Sequence, residues 1–286
     1  MMRTVTLPDR TTRLPALGLG TWRMGEAARR KSEEVAAVRL AFELGYRLID
    51  TAEMYGEGGA ELVVGQALSE ALRAATLKRD ELCVVSKVYP HNASRAGVAA
   101  ACDRSRKRLG IDRIDLYLLH WAGSHPIAET VAGFEDLRAR GHIGHWGVSN
   151  FDVEEMETLA AAPNGTACAA NQVYYSLGQR APEFALLPWQ RERSMPLMAY
   201  SPIDQGDLAS SNSLRRLAER RGATPAQLAL AWLISQPGVM AIPKAVRETH
   251  LRENFAAADI VLDDSERAAI EKAFPAPRKK TALAMR

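Results

Sequence analysis

The sequence predicts a single-domain α/β protein that forms a (β/α)8 barrel, the TIM barrel fold, preceded by a short N-terminal β-hairpin. Eight short, nearly continuous apolar runs alternate with helix-like segments between residues 17 and 242. Such runs are typical of parallel strands that are covered on both faces. No break in composition divides the 286 residues, so we expect one domain over 1–286. An open, doubly wound sheet is the alternative fold.

The first predicted element is the hairpin. Val5–Leu7 and Arg13–Leu14 have strand character and are joined by a turn at Pro8–Arg10. We expect this hairpin to cover the bottom of the barrel. The eight predicted barrel strands follow in order: Leu17–Gly20, Tyr46–Asp50, Leu82–Lys87, Ile114–His120, Ile143–Ser149, Ala167–Gln172, Pro196–Ser201 and Val239–Ile242.

Recognisable start and stop signals delimit several of the intervening helices. Ser32, followed by two glutamates, is predicted to open the first helix, and Gly45 to close it. Thr224, Pro225 and the residues after them form a capping box with proline at the first helical position. Asp152 makes a similar start after the fifth strand.

Composition and charge exclude several classes of protein. The net charge of +3 is the small difference between 37 basic and 34 acidic residues, which does not indicate a nucleic-acid partner. No apolar run approaches the ~20 residues of a membrane span, and residues 1–13 lack a signal-peptide core. Cys83, Cys102 and Cys168 show no metal-binding spacing and predict reduced thiols. We therefore expect a cytoplasmic monomer that acts on a small molecule.

Four reactive residues stand at or just beyond predicted strand ends. Asp50 ends the second strand, Tyr55 follows it, Lys87 ends the third and His120 ends the fourth. In a β/α barrel these ends meet at the face that carries the active site. Taken singly, each residue also fits an ordinary structural role, such as a helix cap for Asp50. Their joint placement favours catalysis.

The four side chains together suit the reduction of a carbonyl group. That reaction requires a hydride donor and an acid that protonates the developing alkoxide. A free tyrosine has a pKa of about 10 and is a weak acid near neutrality. The ammonium of Lys87 is expected to lower the pKa of Tyr55, and Asp50 to keep Lys87 charged. His120 would donate a hydrogen bond to the substrate oxygen.

Several segments resemble the signatures of the aldo-keto reductase superfamily, in its bacterial type that includes methylglyoxal and 2,5-diketo-D-gluconate reductases. The resemblance spans nearly the whole chain in the family's order. It implies a barrel that reduces aldehydes and ketones with NADPH, without a Rossmann domain, and with Tyr55 as the acid. The segments are Gly45–Gly56 (GYRLIDTAEMYG), Ser86–Val88, Asp115–Trp121 (DLYLLHW), Gly147–Phe151 (GVSNF), Asn171–Val173, Ala199–Pro202 and Ile242–Lys244.

The cofactor contacts follow from polar strand ends and from this resemblance. Ser149, Asn150 and Gln172 suit the carboxamide of nicotinamide, and the resemblance implies that Tyr200 stacks on its ring. The segment after Tyr200 would border the pyrophosphate. The expected cofactor-binding residues are Gly20, Thr21, Trp22, Asp50, Ser149, Asn150, Gln172, Tyr200, Ser201, Pro202, Ile203, Lys244, Ala245, His250, Glu253 and Asn254.

The chain departs from the family near the 2′-phosphate of the cofactor. Lys244 is placed to meet this phosphate, but Ala245 and Val246 stand where many members have polar side chains. His250 replaces an arginine of many members, and Arg247 and Arg252 are candidates to compensate. We therefore expect the protein to prefer NADPH over NADH, but by less than members with a full set of phosphate contacts. NADH is the alternative cofactor.

Aromatic residues are expected to form the substrate site. Trp22 and Trp121 would frame the substrate, with Tyr89 as a third wall, beside Tyr55 and His120. The tail after residue 274 is short, which predicts an open pocket and loose selectivity. Reactive aldehydes such as methylglyoxal, or a keto-sugar acid, fit this description equally well.

Three other functions compete with carbonyl reduction. An NAD-linked alcohol dehydrogenase would use the same fold in the opposite direction. A cofactor-binding regulatory subunit would have little turnover. The presence of all four candidate catalytic residues, here called the tetrad (Asp50, Tyr55, Lys87 and His120), disfavours this function. A metallohydrolase would use His120, Asp50 and Glu53, but the sequence has no paired-histidine spacing to support it.

Overall fold

The computed structural model describes residues 2–285, except the side chain of Ala209, and its first element is an antiparallel hairpin. Residues 1 and 286 of the predicted domain lie outside the described part. Strands β1 (Thr4–Thr6) and β2 (Arg13–Pro15) pair in the hairpin, with Val5 opposite Leu14. Leu7 and Leu14 are buried in one apolar cluster with Leu48, Val85 and Leu116 of the barrel interior. The hairpin therefore covers one end of the barrel, as predicted.

In the described part of the chain, eight parallel strands follow in sequential order. Backbone hydrogen bonds from Gly18 N to Ala241 O (2.9 Å) and from Gly20 N to Pro243 O (3.0 Å) join the first strand to the last. The sheet therefore closes, which confirms the barrel over the open sheet. The strands are β3 (Leu19–Gly20), β4 (Leu48–Asp50), β5 (Cys83–Val88), β6 (Ile114–Leu119), β7 (Ile143–Ser149), β8 (Asn171–Tyr174), β9 (Leu197–Tyr200) and β10 (Val239–Ala241).

The sixth barrel strand lies later in the chain than the apolar run indicated. The run Ala167–Gln172 was expected to end at the polar Gln172, but β8 continues through Val173 to Tyr174. Gly165–Ala167 forms a 3-10 turn instead. A buried polar residue in the middle of the strand interrupted the apolar pattern, because Gln172 has a hydrogen-bonding partner inside the barrel.

The helices surround the barrel and begin and end largely as their capping residues predict. Gly45 ends the first helix at φ 104°, a left-handed conformation that glycine adopts readily. Thr224 Oγ1 accepts a hydrogen bond from Gln227 N at 3.2 Å. The helices are α1 (Lys31–Leu44), α2 (Gly59–Arg73), α3 (Arg95–Leu109), α4 (Ile127–Ala139), α5 (Val153–Ala161), α6 (Leu186–Glu192), α7 (Asn212–Arg221), α8 (Pro225–Ser235), α9 (Glu248–Ala256) and α10 (Asp264–Ala273).

The prediction that Ser32 opens the first helix is wrong. Helix α1 begins at Lys31, directly after a 3-10 turn at Ala28–Arg30, and Arg30 makes no side-chain cap. The turn runs directly into the helix, so a carbonyl group of the turn accepts a hydrogen bond from the first N–H group of the helix. Within residues 2–285, no helix has both the length and the apolar character needed to cross a membrane.

Candidate active site

Lys87 lies at the centre of the candidate site and is completely buried near the end of β5. Its Nζ donates hydrogen bonds to Asp50 Oδ2 at 2.7 Å, to Thr51 O at 2.9 Å and to Tyr55 Oη at 3.0 Å. These three acceptors match the three protons of an ammonium group. The barrel thus brings three of the four predicted catalytic residues into one hydrogen-bonded chain.

Burial and charge act in opposite directions on the Lys87–Tyr55 pair. Burial lowers the pKa of Lys87, but the Asp50 carboxylate and Tyr55 outweigh it, so the pKa is raised and the side chain is a cation. Burial raises the pKa of Tyr55 more than Lys87 lowers it, so the net direction is upward. Lys87 lowers the pKa of Tyr55 as expected, but burial and the charge of Asp50 raise it by more, because a buried phenolate loses more hydration than one ammonium offsets.

His120 follows β6 directly and is only 8% exposed. Its ring meets that of Tyr55 edge to face, with centroids 5.7 Å apart. Burial, together with the charge of Lys87, holds the pKa of His120 well below its usual value, so the ring is neutral. Within the described residues, His120 Nδ1 is buried without a hydrogen-bond partner. Nε2 is then the nitrogen that can meet a substrate oxygen.

The residues predicted to bind the nicotinamide carboxamide are linked to the catalytic residues. Gln172 Nε2 donates to Asp50 Oδ1 at 2.7 Å. Asn150 Nδ2 donates to the backbone oxygen of His120 at 3.1 Å, and Tyr200 Oη donates to Asn150 Oδ1 at 2.9 Å. These bonds hold the cofactor-facing and catalytic groups in one network.

The other predicted cofactor residues lie around the same end of the barrel. Thr21 Oγ1 donates to Asp50 O at 3.0 Å. Gly20 and Lys244 are bridged by backbone hydrogen bonding where the barrel closes. Ser201 follows β9 with φ 47°, an unusual left-handed conformation for serine. The same end also carries Trp22, Ser149, Pro202, Ile203 and Ala245, while α9 carries His250, Glu253 and Asn254.

Charged side chains of both signs lie near Lys244. In the part of the chain that the structure describes, this exposed lysine makes no salt bridge. Partial burial and the nearby Arg30 and Arg23 lower the pKa of Lys244 more than Glu34 and Glu26 raise it. Arg30 itself lies 3.8 Å from Glu34. Sequence reasoning missed both arginines, because only barrel closure brings residues 23–30 beside residue 244. Arg247 donates to His250 Nε2 at 2.9 Å, so the two side chains are linked on α9 and the residue before it.

Two aromatic residues, Trp121 and Tyr89, form one wall next to His120. Trp121 lies against the His120 ring with centroids 4.8 Å apart, and Tyr89 meets Trp121 edge to face at 6.1 Å. Tyr89 Oη donates to Glu57 Oε1 at 3.0 Å. Glu57, two residues after Tyr55, was not predicted. Its position beside the signature was visible in the sequence, but its contact with Tyr89 was not.

Glu53 is a buried carboxylate that joins the strand-end loops. Its Oε1 accepts from Tyr89 N at 2.8 Å and from Asn92 Nδ2 at 3.0 Å, and Arg104 donates to Oε2 at 3.2 Å. Three N–H donors already occupy this carboxylate, which disfavours the role of metal ligand that the metallohydrolase alternative required. Glu53 instead positions the loop that carries Tyr89.

The short C-terminal tail reaches the end of the barrel that carries the site. Lys280 Nζ lies 3.5 Å from Asp152 Oδ2 and 3.1 Å from Glu154 Oε1, at the start of α5. Leu283 packs against the main apolar core. These contacts lie next to the loop that follows β7.

Comparison with known proteins identifies the family of the chain. The model of the aldo/keto reductase family matches residues 16–274. The chain belongs to the aldo/keto reductase family. It is therefore an oxidoreductase, and the tetrad residues fall on the strand ends at which barrels of this kind carry their chemistry.

Relatives of known name match nearly the full length of this aldo/keto reductase. Methylglyoxal reductase YeaE of Escherichia coli is 49% identical over 277 residues, which are 95% of each chain. Methylglyoxal reductase DkgB of Salmonella typhi is 30% identical and covers 90% of this chain and 92% of its own.

Two solved structures are similar over the whole chain. An aldo/keto reductase from Klebsiella pneumoniae, in complex with NADP and acetate, has a TM-score of 0.94, 46% identity and complete coverage of both chains. A putative 2,5-diketo-D-gluconic acid reductase B has a TM-score of 0.85 and 32% identity, covering 100% of this chain and 95% of its own.

Proposed function

We propose that this chain reduces small aldehydes and ketones to alcohols with NADPH, and that Tyr55 protonates the carbonyl oxygen. The observation that carries the proposal is the buried chain Asp50–Lys87–Tyr55, in which Lys87 donates to the phenolic oxygen at 3.0 Å. Because Lys87 occupies an acceptor position of Tyr55, the phenolic hydrogen remains available for a substrate oxygen.

The chemistry of the donor groups fits NADPH, which supplies the hydride when bound. Asn150, Gln172 and Tyr200 offer amide and hydroxyl groups at one end of the expected binding surface. At the other end, Lys244 makes no salt bridge within the described residues and offers a cation suited to phosphate. The similar Klebsiella pneumoniae enzyme was solved in complex with NADP.

Each tetrad residue has a separate task in proton transfer. Tyr55 holds its proton until a carbonyl oxygen gains negative charge. Lys87 then stabilises the phenolate by the same hydrogen bond, and Asp50 keeps Lys87 charged and oriented. Neutral His120 donates from Nε2 to the carbonyl oxygen and polarises it.

Small, reactive aldehydes of the methylglyoxal type are the proposed substrates. The support is the 49% identity to methylglyoxal reductase YeaE and the compact wall of His120, Trp121 and Tyr89.

We infer a cytoplasmic monomer; the three cysteines are free, which suits a reducing compartment.

The deciding experiment measures NADPH and NADH oxidation with aldehydes, ketones and keto-sugars. Turnover of methylglyoxal with NADPH is expected. Tight NADPH binding without turnover would favour the regulatory subunit. Faster NAD-linked oxidation of alcohols under the same conditions would favour the dehydrogenase.

A further inference from the structure

Glu57 places an unpaired negative charge at the rim of the proposed active site. Its side chain is exposed, and no salt bridge to it occurs in the part of the chain that the structure describes. Its φ of 51° lies in the left-handed region, between Gly56 (φ 56°) and Gly58 (φ 88°). Such a conformation is unfavourable for a residue with a side chain, so the surrounding structure determines it.

Tyr89 connects this carboxylate to the substrate wall. Its hydroxyl donates to Glu57 Oε1 at 3.0 Å, and its ring contacts Trp121, which in turn contacts His120. Burial, followed by the hydrogen bond and charge of Glu57, raises the pKa of Tyr89 to about 12. Tyr89 therefore remains a neutral phenol, and the charge at this wall is that of Glu57.

Neighbouring charges do not cancel that of Glu57. Arg104 pairs with the buried Glu53 at 3.2 Å, and Arg108, which lies against Gly58, pairs with Glu61 at 2.6 Å. Each of these arginines has its own carboxylate.

The other cations near the mouth lie towards the proposed phosphate region. Arg23 stacks on Trp22, with its guanidinium 4.5 Å from the ring centroid, and lies near Lys244 together with Arg30. Cofactor phosphates would neutralise these groups. The side of the pocket formed by Tyr89 and Trp121 then keeps a net negative charge.

We propose that Glu57 is a specificity-determining residue, which acts through Tyr89 to favour uncharged carbonyl compounds over those that carry a carboxylate. The inference rests on the proposed reductase function. The charge of Glu57 distinguishes two substrate classes that fit the aromatic wall equally well, because methylglyoxal is neutral and a keto-sugar acid is an anion. A charged side chain near a binding site repels ligands that carry a charge of the same sign. Such repulsion can produce specificity as effectively as attractive contacts to the preferred ligand.

The test compares wild type with Glu57→Gln on three aldehydes that differ in charge. These are 4-carboxybenzaldehyde, its neutral methyl ester, and 4-formyl-N,N,N-trimethylanilinium. Glutamine retains an oxygen that accepts from Tyr89, so the substitution removes charge and preserves the contact. Glu43→Gln, an exposed carboxylate on α1, is the matched control for a change in net charge alone.

In Glu57→Gln, kcat/KM for the carboxylate should rise roughly three- to tenfold, and that for the cation should fall by a similar factor. The ester should change less than about twofold, and added salt should reduce both effects. Equal changes for all three aldehydes, or no change, would overturn the inference while the enzyme still reduces the ester. Failure of wild type to reduce any of them would instead overturn the proposed function.

Discussion

Lys87 donates its hydrogen bond to the phenolic oxygen of Tyr55, at 3.0 Å, and cannot accept one in return. The phenol keeps its hydrogen for another acceptor, and the phenolate formed on proton transfer already has a cationic partner. Because both side chains are withdrawn from water, this single contact is electrostatically stronger than the same pair at a surface. Four expectations about the proposed activity follow from this arrangement and from the cations near Lys244.

Replacing Tyr55 with phenylalanine should lower turnover by ~10²-fold or more, the usual effect of losing a general acid. NADPH affinity, measured by fluorescence titration, should stay nearly unchanged because the substitution removes only the hydroxyl. Tyr175→Phe is the control, since it removes a tyrosine hydroxyl that donates to Glu183 and has no part in the proposed site. Near-wild-type turnover of Tyr55→Phe would show that another group supplies the proton.

The pH dependence should differ between the two directions of the reaction. In the proposed mechanism reduction uses the protonated phenol, and the pKa of Tyr55 lies above its ordinary value of 10.0 because of burial. Reduction should therefore show no loss from Tyr55 ionisation up to pH 10, whereas alcohol oxidation, which needs the phenolate, should rise with pH. Profiles at saturating cofactor test this. A Tyr55-dependent inflection near neutrality in the reduction profile would contradict it.

Lys87→Met should be at least as damaging to turnover as Tyr55→Phe, because the phenolate loses its cation and the pKa of Tyr55 rises further. It should also destabilise the fold by about 3–5 kcal/mol, since Asp50 is left as a buried charge without its partner. Chemical denaturation measures that loss.

The double variant Asp50→Asn/Lys87→Met separates stability from catalysis. It removes both charges of the buried pair, so stability should largely recover while turnover does not. Recovery of both would mean that Lys87 serves the fold alone.

Lys244→Ala should raise the Michaelis constant for NADPH by roughly tenfold or more, as expected for a lost charge-assisted contact. The constant for NADH should barely change, because NADH lacks the 2′-phosphate. Titrations with both cofactors decide this, with the exposed Lys272→Ala on α10 as the control. Equal losses for both cofactors would show that Lys244 does not distinguish the phosphate.

The hydrogen bond between Arg247 and His250 changes one expectation about this region. The sequence placed His250, in the position of an arginine of many members, among the expected cofactor-binding residues. Arg247 donates to His250 Nε2 at 2.9 Å, so the side chain of His250 is held by Arg247. Arg247, which is charged at every relevant pH, is the better candidate for a phosphate contact.

Local sequence patterns predicted the elements whose signals lie within a few residues. The strand Ile143–Ser149 and the cap at Thr224 appear as expected, because apolar runs and capping boxes are short-range features. The pattern failed at β8, where Gln172 is polar and buried. A hydrogen bond to Asp50, from a distant strand, makes that position tolerable.

The sequence by itself determined the barrel and the end of it at which Asp50, Lys87 and His120 stand, because strand periodicity and strand ends are properties of the local chain. Only the tertiary structure decided the upward pKa of Tyr55 and the contact between Glu57 and Tyr89. The physical reason is that hydration and Coulomb energies depend on distances between groups that are far apart in the chain, and folding alone sets those distances.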